Sequence, residues 1–480
     1  MLAASDASRS IAPALDLRLS EVVSGLSCAL DITEGQRPGH AARSCLIGMR
    51  IADEIGLSAV DRSHLYYALL LKDLGCSSNA ARFAAIFAAD DQELKANIKV
   101  VDWSKAYQAY AYVVRNVAPG QFWFRRVWQL LSVMARGPEG AREVVVTRCE
   151  RGADIARRIG FEPPVVEAIR ALDEHWDGHG QPYGLRRQTI PLLGRILGLA
   201  QTVEVFASSE NVRVALDLAF SRRGSWFDPD LVDALWSTRN DAEFWQTLQG
   251  DPLPHVAALE PADRILRIDD EGLDAVVSAF AEVVDAKSPW TYQHSAGVAR
   301  VADHMAGTLG LSSHARRQLS RAALLHDLGK LGVSSLILDK PGKLTDQEFS
   351  AMRRHPAATL EILNRVGCFR EIAGLAAAHH ERLDGRGYHL GLSASDIALG
   401  SRILCVADIA DALTMSRPYR EGLPPERVLS ILSAQTGSAV DPACVEALEI
   451  MFRAQAAPAV DAAPAATLVP ALAEDFIQAA

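Results

Sequence analysis

The chain has 480 residues, 49% of them hydrophobic and 22% charged, which excludes a mostly disordered polypeptide. At roughly 100–200 residues per domain, two to four domains are expected. Lys and Arg number 49 against 59 Asp and Glu, and the resulting formal charge of −10 excludes a general nucleic-acid coat while allowing a local basic pocket.

In chain order, residues 1–14 read as a flexible N-terminus. Asp6 and Arg9 come early and no apolar h-region follows, so secretion is not expected. The apolar stretch from Leu192 to Ala207 is broken by Arg195 and Glu204. No uncharged apolar run reaches the roughly 18 residues of a membrane span, so no membrane partner is expected. Pro252, Pro254 and Pro261 break any helix in a linker over 246–268. From His294 to Gly310, Val298, Val301, Ala302, Met305 and Leu309 recur at helical spacing, and Gly310 is a stop signal. Ser312 and Ser313 offer caps for the next helix, and Thr345 with Glu348 forms a capping box for another. Pro424 and Pro425 suit the first turn of a helix through Val428, Leu429 and Leu432. Beyond Gln455 the chain is an Ala/Pro-rich tail, 456–480. Strand-like alternation is scarce, so the predicted fold class is all-α. The seven cysteines (Cys28, Cys45, Cys76, Cys149, Cys368, Cys405 and Cys444) form no C-x-x-C pair. They read as reduced, mostly buried thiols in a cytoplasmic protein.

A shift of 254 residues aligns one half of the chain with the other. His40 falls on His294, and Leu70-Leu71-Lys72-Asp73-Leu74-Gly75 on Leu324-Leu325-His326-Asp327-Leu328-Gly329. Further on the shift becomes 207, and Asp177-Gly178-His179-Gly180 falls on Asp384-Gly385-Arg386-Gly387. The difference, 254 − 207 = 47, is an insertion in the first copy within residues 78–143. The chain therefore reads as two copies of one helical domain, 15–245 and 269–455.

The second copy concentrates His294, the pair His326-Asp327, His355, the pair His379-His380, and Asp408. Neutral imidazoles and carboxylates suit Mn, Fe, Zn or Ni. A single such histidine is more often structural than a ligand, but seven such residues on one helical domain point to metal. Two adjacent histidines on a helix point about 100° apart and can address neighbouring metal positions. Lys330 follows closely enough to reach a phosphate. Arg417 and Arg420, beyond the helix of Asp408 and Asp411, can clamp phosphate oxygens or form a solvated face.

In this order and spacing the second copy resembles the HD-GYP family of metal-dependent phosphodiesterases, within the HD superfamily. The matching text is Leu325-His326-Asp327-Leu328-Gly329-Lys330, Lys340-Pro341-Gly342-Lys343-Leu344-Thr345, His355-Pro356, His379-His380-Glu381-Arg382, Asp384-Gly385-x-Gly387-Tyr388, Ala407-Asp408 and Asp411-Ala412-Leu413-Thr414. It departs where His389 stands for the proline of the Gly-Tyr-Pro element. The resemblance implies two tandem HD-type helical bundles and two divalent metals, iron or manganese, in the second. His294, His326, Asp327 and Asp408 would hold one metal. Asp327 would bridge to the other, held by His355, His379 and His380. Trp290 stands where some members place a glutamate for a third metal. Asp327 and Lys330 would be catalytic, and Tyr388, Arg417 and Arg420 would contact substrate. Cyclic di-GMP is the substrate so implied, opened to a linear dinucleotide or GMP.

Two metals would activate a water and take up charge on the phosphate. Lys330 would add positive charge or protonate the leaving oxygen. The ring of Tyr388 would stack on a base, and His389 would loosen the loop that a proline stiffens. In the first copy Lys72, Cys76, Arg148, Leu172, Asp173 and Gln201 replace site residues, so a metal-free half is expected, serving either to stabilise its neighbour or to take a small-molecule or protein effector. His175 and His179 align with Arg382 and Arg386 and read as loop residues. A homodimer is compatible with this organisation. Two other readings stay open: a phosphohydrolase acting on another nucleotide or phosphoester, and a signalling adaptor with structural metals.

Overall fold

The structure, a computed structural model, describes residues 16–456 apart from 100, 102–104, 292 and 417–420. The expected N-terminal lead, the tail beyond 456, Arg417 and Arg420 all lie outside the described residues. The chain is all-α: the two strands among the described residues, β1 (Leu17–Arg18) and β2 (Arg267–Ile268), pair antiparallel over two residues each. No helix is long and apolar enough to cross a membrane among the described residues.

The first half runs α1 (Leu19–Thr33), α2 (His40–Glu54), α3 (Ala59–Leu71), α4 (Ala80–Phe87), α5 (Asp91–Ile98), α6 (Ala106–Asn116), α7 (Trp123–Ile159), α8 (Pro163–Arg170), α9 (Leu192–Ser209), α10 (Val212–Ser221), α11 (Pro229–Ser237), α12 (Ala242–Thr247) and α13 (Leu253–Ala258). The prolines expected to break any helix in the linker do not do so. Pro252 caps α13 and Pro254 sits in its first turn, where a missing N–H costs nothing.

The second half runs α14 (Asp270–Asp285), α15 (His294–Thr308), α16 (Ser313–Leu325), α17 (Ser335–Leu338), α18 (Asp346–Met352), α19 (His355–Asn364), α20 (Arg370–Ala377), α21 (Leu399–Thr414), α22 (Pro425–Ser433) and α23 (Pro442–Ala456). Its caps follow the sequence. Ser312 accepts from Ala315 N, Thr345 and Glu348 form the capping box, and Pro424 precedes α22.

The halves echo each other in detail. The starts of α2 and α3 precede those of α15 and α16 by 254 residues, and the starts of α8 and α9 precede those of α20 and α21 by 207. A Cβ on Gly75 would collide with the carbonyl of Arg148, and a Cβ on Gly329 with that of His355. The chain thus takes 148 − 75 = 73 residues in one half where it takes 355 − 329 = 26 in the other, a difference of 47. The excess forms α4 to α6 and the start of α7, around a small core of Phe87, Leu94, Tyr112 and Val117. From α9 to α10 the connection is short, whereas the one from α21 to α22 spans Thr414 to Pro425 and carries Arg417 and Arg420.

One hydrophobic core crosses the boundary between the halves. Leu26 and Leu30 of α1 belong to the same cluster as Val276 and Phe280 of α14, Leu328 and Leu363. Gly25 lies so close to Val366 that no side chain fits there. A second core, with Val298, Met305, Leu404 and Leu448, holds α15, α21 and α23 together.

Candidate metal centre

Five chain segments bring the seven predicted ligands together in the second half. His294 opens α15, and His326-Asp327 follows the last residue of α16. His355 opens α19, and Asp408 lies within α21. His379 and His380 do not sit on a helix as expected. They occupy the turn after α20, with ring centroids 3.9 Å apart and planes inclined by 46°. All seven residues are buried, none more than 6% exposed.

Asp327 stands at the middle and divides its two oxygens. Oδ2 faces His326 Nε2 at 3.3 Å and His294 Nε2 at 3.9 Å, whereas Oδ1 faces His355 Nε2 at 3.4 Å and His379 Nε2 at 3.9 Å. Asp408 Oδ1 lies 3.1 Å from His294 Nε2 and 3.8 Å from His326 Nε2. His355, His379 and His380 form one group with metal-ligand spacing, and His294, His326 and Asp327 another; His326, His379 and Asp408 also lie close enough to share an ion.

The outer nitrogens fix which atom points inward. His326, His355 and His379 each use Nδ1 to donate to a backbone carbonyl, of Ala323, Met352 and Ala376, at 2.7, 2.8 and 2.6 Å. His294 uses Nδ1 toward Asp411 Oδ2 at 2.7 Å. Such partners set tautomer and ring orientation in metal sites. A Cβ on Gly297 would strike the Asp411 carboxylate, so any larger residue there would push that group off His294. His326 Nε2, Asp327 Oδ1 and His380 Nε2 are fully buried with no hydrogen-bond partner among the described residues. Buried polar atoms rarely stay unpaired, and divalent cations are what this donor set accommodates.

The electrostatics agree with ligation. Burial drives the pKa values of His355 and His380 well below the ordinary imidazole range and that of His379 to about 4, with neighbouring cations adding to the effect. These rings are therefore neutral, as ligands must be. Burial opposes ionisation of Asp327, but the charges of His326 and Lys330 outweigh it and hold the carboxylate well below its usual range. Burial also lowers the pKa of His294, yet hydrogen bonds to Asp408 and Asp411 raise it to about 10; a metal ion would compete with that proton at Nε2.

Lys330, in the 3₁₀ turn Leu328–Gly332, places Nζ 2.7 Å from Asp327 Oδ2 and remains partly exposed. Tyr388 does not offer the open stacking face expected of it. The residue is 8% exposed, its ring lies 4.8 Å from that of His380, and the Arg353 guanidinium sits 4.7 Å from its centroid. Its Oη is buried without a hydrogen-bond partner among the described residues, so the hydroxyl, not the ring face, is the group left for a ligand.

Nor does the loop depend on a proline. Glu381 accepts hydrogen bonds from the amides of Leu390, Gly391 and Leu392 at 2.7, 3.2 and 2.9 Å. Sequence reasoning quoted Glu381 only as matching text and missed this role, which only three-dimensional closure of the loop reveals. It missed Arg353 altogether. Asp411 entered only as matching text on the helix of Asp408, although the three-residue spacing puts both on one helix face.

The corresponding place in the first half is filled by ion pairs. Lys72 Nζ contacts Asp73 Oδ2 and lies 2.9 Å from His40 Nε2. His40 Nδ1 meets Glu204, which also takes Arg43 Nε at 2.6 Å. Arg148 pairs with Asp173. Glu34, Asp73 and Cys76 have metal-ligand spacing, but Lys99 Nζ already stands 2.7 Å from Glu34.

A helical bundle enclosing a buried histidine–aspartate cluster of this kind defines an HD-type metallohydrolase. The HD domain family matches residues 139–231 and 278–444, and the chain belongs to it, within the HD-GYP group of metal-dependent phosphodiesterases. A 3'3'-cGAMP-specific phosphodiesterase 3 of Vibrio cholerae serotype O1 is 43% identical over 432 residues, covering 90% of this chain and 94% of its own. The cyclic di-GMP phosphodiesterase response regulator RpfG of Xanthomonas campestris pv. campestris is 40% identical over 174 residues, 36% of this chain and 46% of its own. The crystal structure of the V. cholerae cyclic GMP-AMP-specific phosphodiesterase V-cGAP3 has a TM-score of 0.64 and 38% identity, covering 92% of this chain and 98% of that one.

Proposed function

We propose that this chain opens a 3'3'-linked cyclic dinucleotide at a binuclear metal centre in its second half, with 3'3'-cGAMP ahead of cyclic di-GMP. The observation that carries the chemistry is Asp327, whose two oxygens face two separate sets of imidazoles. The preference for 3'3'-cGAMP rests on the 43%-identical relative, which bears that name and aligns along almost its whole length. Cyclic di-GMP, the substrate expected from sequence, is the second reading, favoured by the name of the shorter match RpfG.

His294, His326, Asp327 and Asp408 would hold one ion, and Asp327 with His355, His379 and His380 would hold the other; iron or manganese would suit this mixture of imidazole and carboxylate. When bound, such ions would supply an acidified water and take up charge on the phosphate. Lys330 Nζ supplies a proton or a positive charge to the leaving ribose oxygen. Tyr388 Oη donates to a phosphate oxygen, and Arg417 and Arg420 clamp the second phosphate. The domain 269–455 is the catalytic copy. The domain 15–245 is a metal-free copy, because an ammonium at position 72 stands against Asp73 and His40 where a ligand would bind an ion.

The test is hydrolysis by manganese- or iron-loaded protein of 3'3'-cGAMP, cyclic di-GMP and p-nitrophenyl phosphate. The highest kcat/KM is expected for 3'3'-cGAMP. Efficient cleavage of the monoester with both cyclic dinucleotides left intact would turn the reading into that of a general phosphohydrolase.

A further inference from the structure

The first half holds a cavity of about 660 Å³ between the vestigial site and the inserted helices. That volume falls within the roughly 300–1,000 Å³ of small-molecule sites. Its floor carries Lys99, Arg148 and Gln201, and the insertion supplies apolar walls such as Phe83, Phe87 and Val133. Two of the floor cations are already neutralised, Lys99 by Glu34 at 2.7 Å and Arg148 by Asp173. Lys95, also in the lining, donates to the carbonyls of Thr33 and Cys76 at 3.2 and 2.7 Å. Each lining cation thus already has its partners, Lys95 sharing Glu34 with Lys99 at 3.8 Å, and Glu174 adds a further carboxylate to the lining. Among the fully buried side-chain atoms of the lining, those with neither hydrogen bond nor ion partner among the described residues are carboxamide oxygens, Asn79 Oδ1, Gln181 Oε1 and Gln201 Oε1. Asn79 and Gln201 are at least nine-tenths buried.

Helix α5 links this cavity to the metal centre. Its C-terminal end presents Lys95 and Ile98 to the cavity. At its N-terminal end Asp91 Oδ1 accepts from Ser335 N at 2.7 Å, and Gln92 Nε2 donates to Leu331 O at 2.9 Å. Leu331 belongs to the same 3₁₀ turn as Lys330, directly after His326-Asp327. Buried Lys287 donates to the same carbonyl at 2.6 Å.

We propose that this cavity is an effector site for an uncharged, largely apolar ring compound bearing N–H or O–H donors, and that its occupancy is transmitted through α5 to the turn holding Lys330. Apolar walls take the ring, the paired charges of the floor exclude an anion, and the carboxamide oxygens accept from the ligand. The regulatory consequence rests on the proposed function of the second half, whereas binding itself does not.

The test uses N-phenyl-1-naphthylamine, a neutral aromatic dye with one N–H, on metal-free full-length protein, followed by fluorescence. Its sulfonated anionic analogue, 8-anilino-1-naphthalenesulfonate, is the charge control. One dye per chain is expected, with affinity at least tenfold above the anion's. Thr202→Trp and Val145→Trp, which fill the cavity, should each weaken it at least tenfold. Trp128→Ser, on the exposed face of α7 at 73% exposure, should leave it unchanged. Dye should also slow amide exchange of Ser335 by at least threefold, and Gln92→Ala should abolish that slowing while preserving binding. Retention of binding in both filled variants, or a preference for the anion, would overturn the site. Unchanged Ser335 exchange with dye bound would overturn the coupling. Because no metal or substrate is present, either failure leaves the proposed hydrolysis standing.

Discussion

Lys72 Nζ lies 2.9 Å from His40 Nε2, in the half where position 72 corresponds to His326 of the other. An ammonium thus bridges His40 and Asp73 where the second half assembles imidazoles. The side chain is almost fully buried, at 2% exposure. Lys72→Met in the full-length protein is therefore expected to leave metal content unchanged. It removes the nearest cation from the Asp73 carboxylate, leaving Lys99 Nζ at 4.0 Å, and the loss of one partner of a buried pair costs about 3 kcal/mol. Urea denaturation of chelator-treated protein reads the loss, and elemental analysis reads the metal. A fall in bound metal would show that the first half holds an ion.

Asp411 does not reach the centre of the cluster but orients His294 through Nδ1 at 2.7 Å. Removing such an outer partner typically weakens metal binding about 10–100-fold. Asp411→Asn should do so, measured by competition with a chelating dye. Lys330→Ala should lower kcat and leave both metals bound. Metal loss in the Lys330 variant would assign that lysine to the structure of the site.

Much of this was legible in the sequence, and the reason is periodicity. The repeat at 254 and 207 residues carries over into helix starts that differ by the same amounts. The capping residues Ser312 and Thr345 act locally, so their roles could be read from neighbours alone. Three features were not legible. The His379-His380 pair left its expected helix because α20 ends at Ala377, without a glycine or proline to mark it. Tyr388 lost its free ring face to Arg353, a residue 35 positions away with no motif to announce it. The two halves share one core across α1 and α14, so separately expressed halves would expose it.

Glu381 fastens the loop after Tyr388 through the three amides of Leu390, Gly391 and Leu392. Glu381→Ala leaves those donors without their carboxylate. At about 1.5–3 kcal/mol for a hydrogen bond to a charged group, a total near 3 kcal/mol is expected once water reaches the loop. KM should rise with metal content intact. An unchanged KM and an unchanged denaturation midpoint would show that the loop is held otherwise.

Burial lowers the pKa of Lys287 to about 8, with Asp91 opposing the shift. Lysine in an unfolded chain keeps its proton to about 10.4. Between these values the unfolded state binds more protons, so stability rises with pH by about 1.4 kcal/mol per unit from this group. The gain is absent below pH 8 and complete above about 10.4. Lys287→Met should remove that component of the slope in metal-free protein, measured by urea denaturation across the window. Identical slopes would show that Lys287 keeps its proton in the fold.

The most direct measurement of the central claim is a titration of manganese into metal-free full-length protein with 3'3'-cGAMP hydrolysis followed at each addition. Two equivalents are expected to bind, with turnover emerging as the second site fills, and Asp327→Ala should bind neither ion tightly and hydrolyse nothing. Full turnover at one equivalent, or two tightly bound ions in Asp327→Ala, would contradict a centre bridged by that carboxylate.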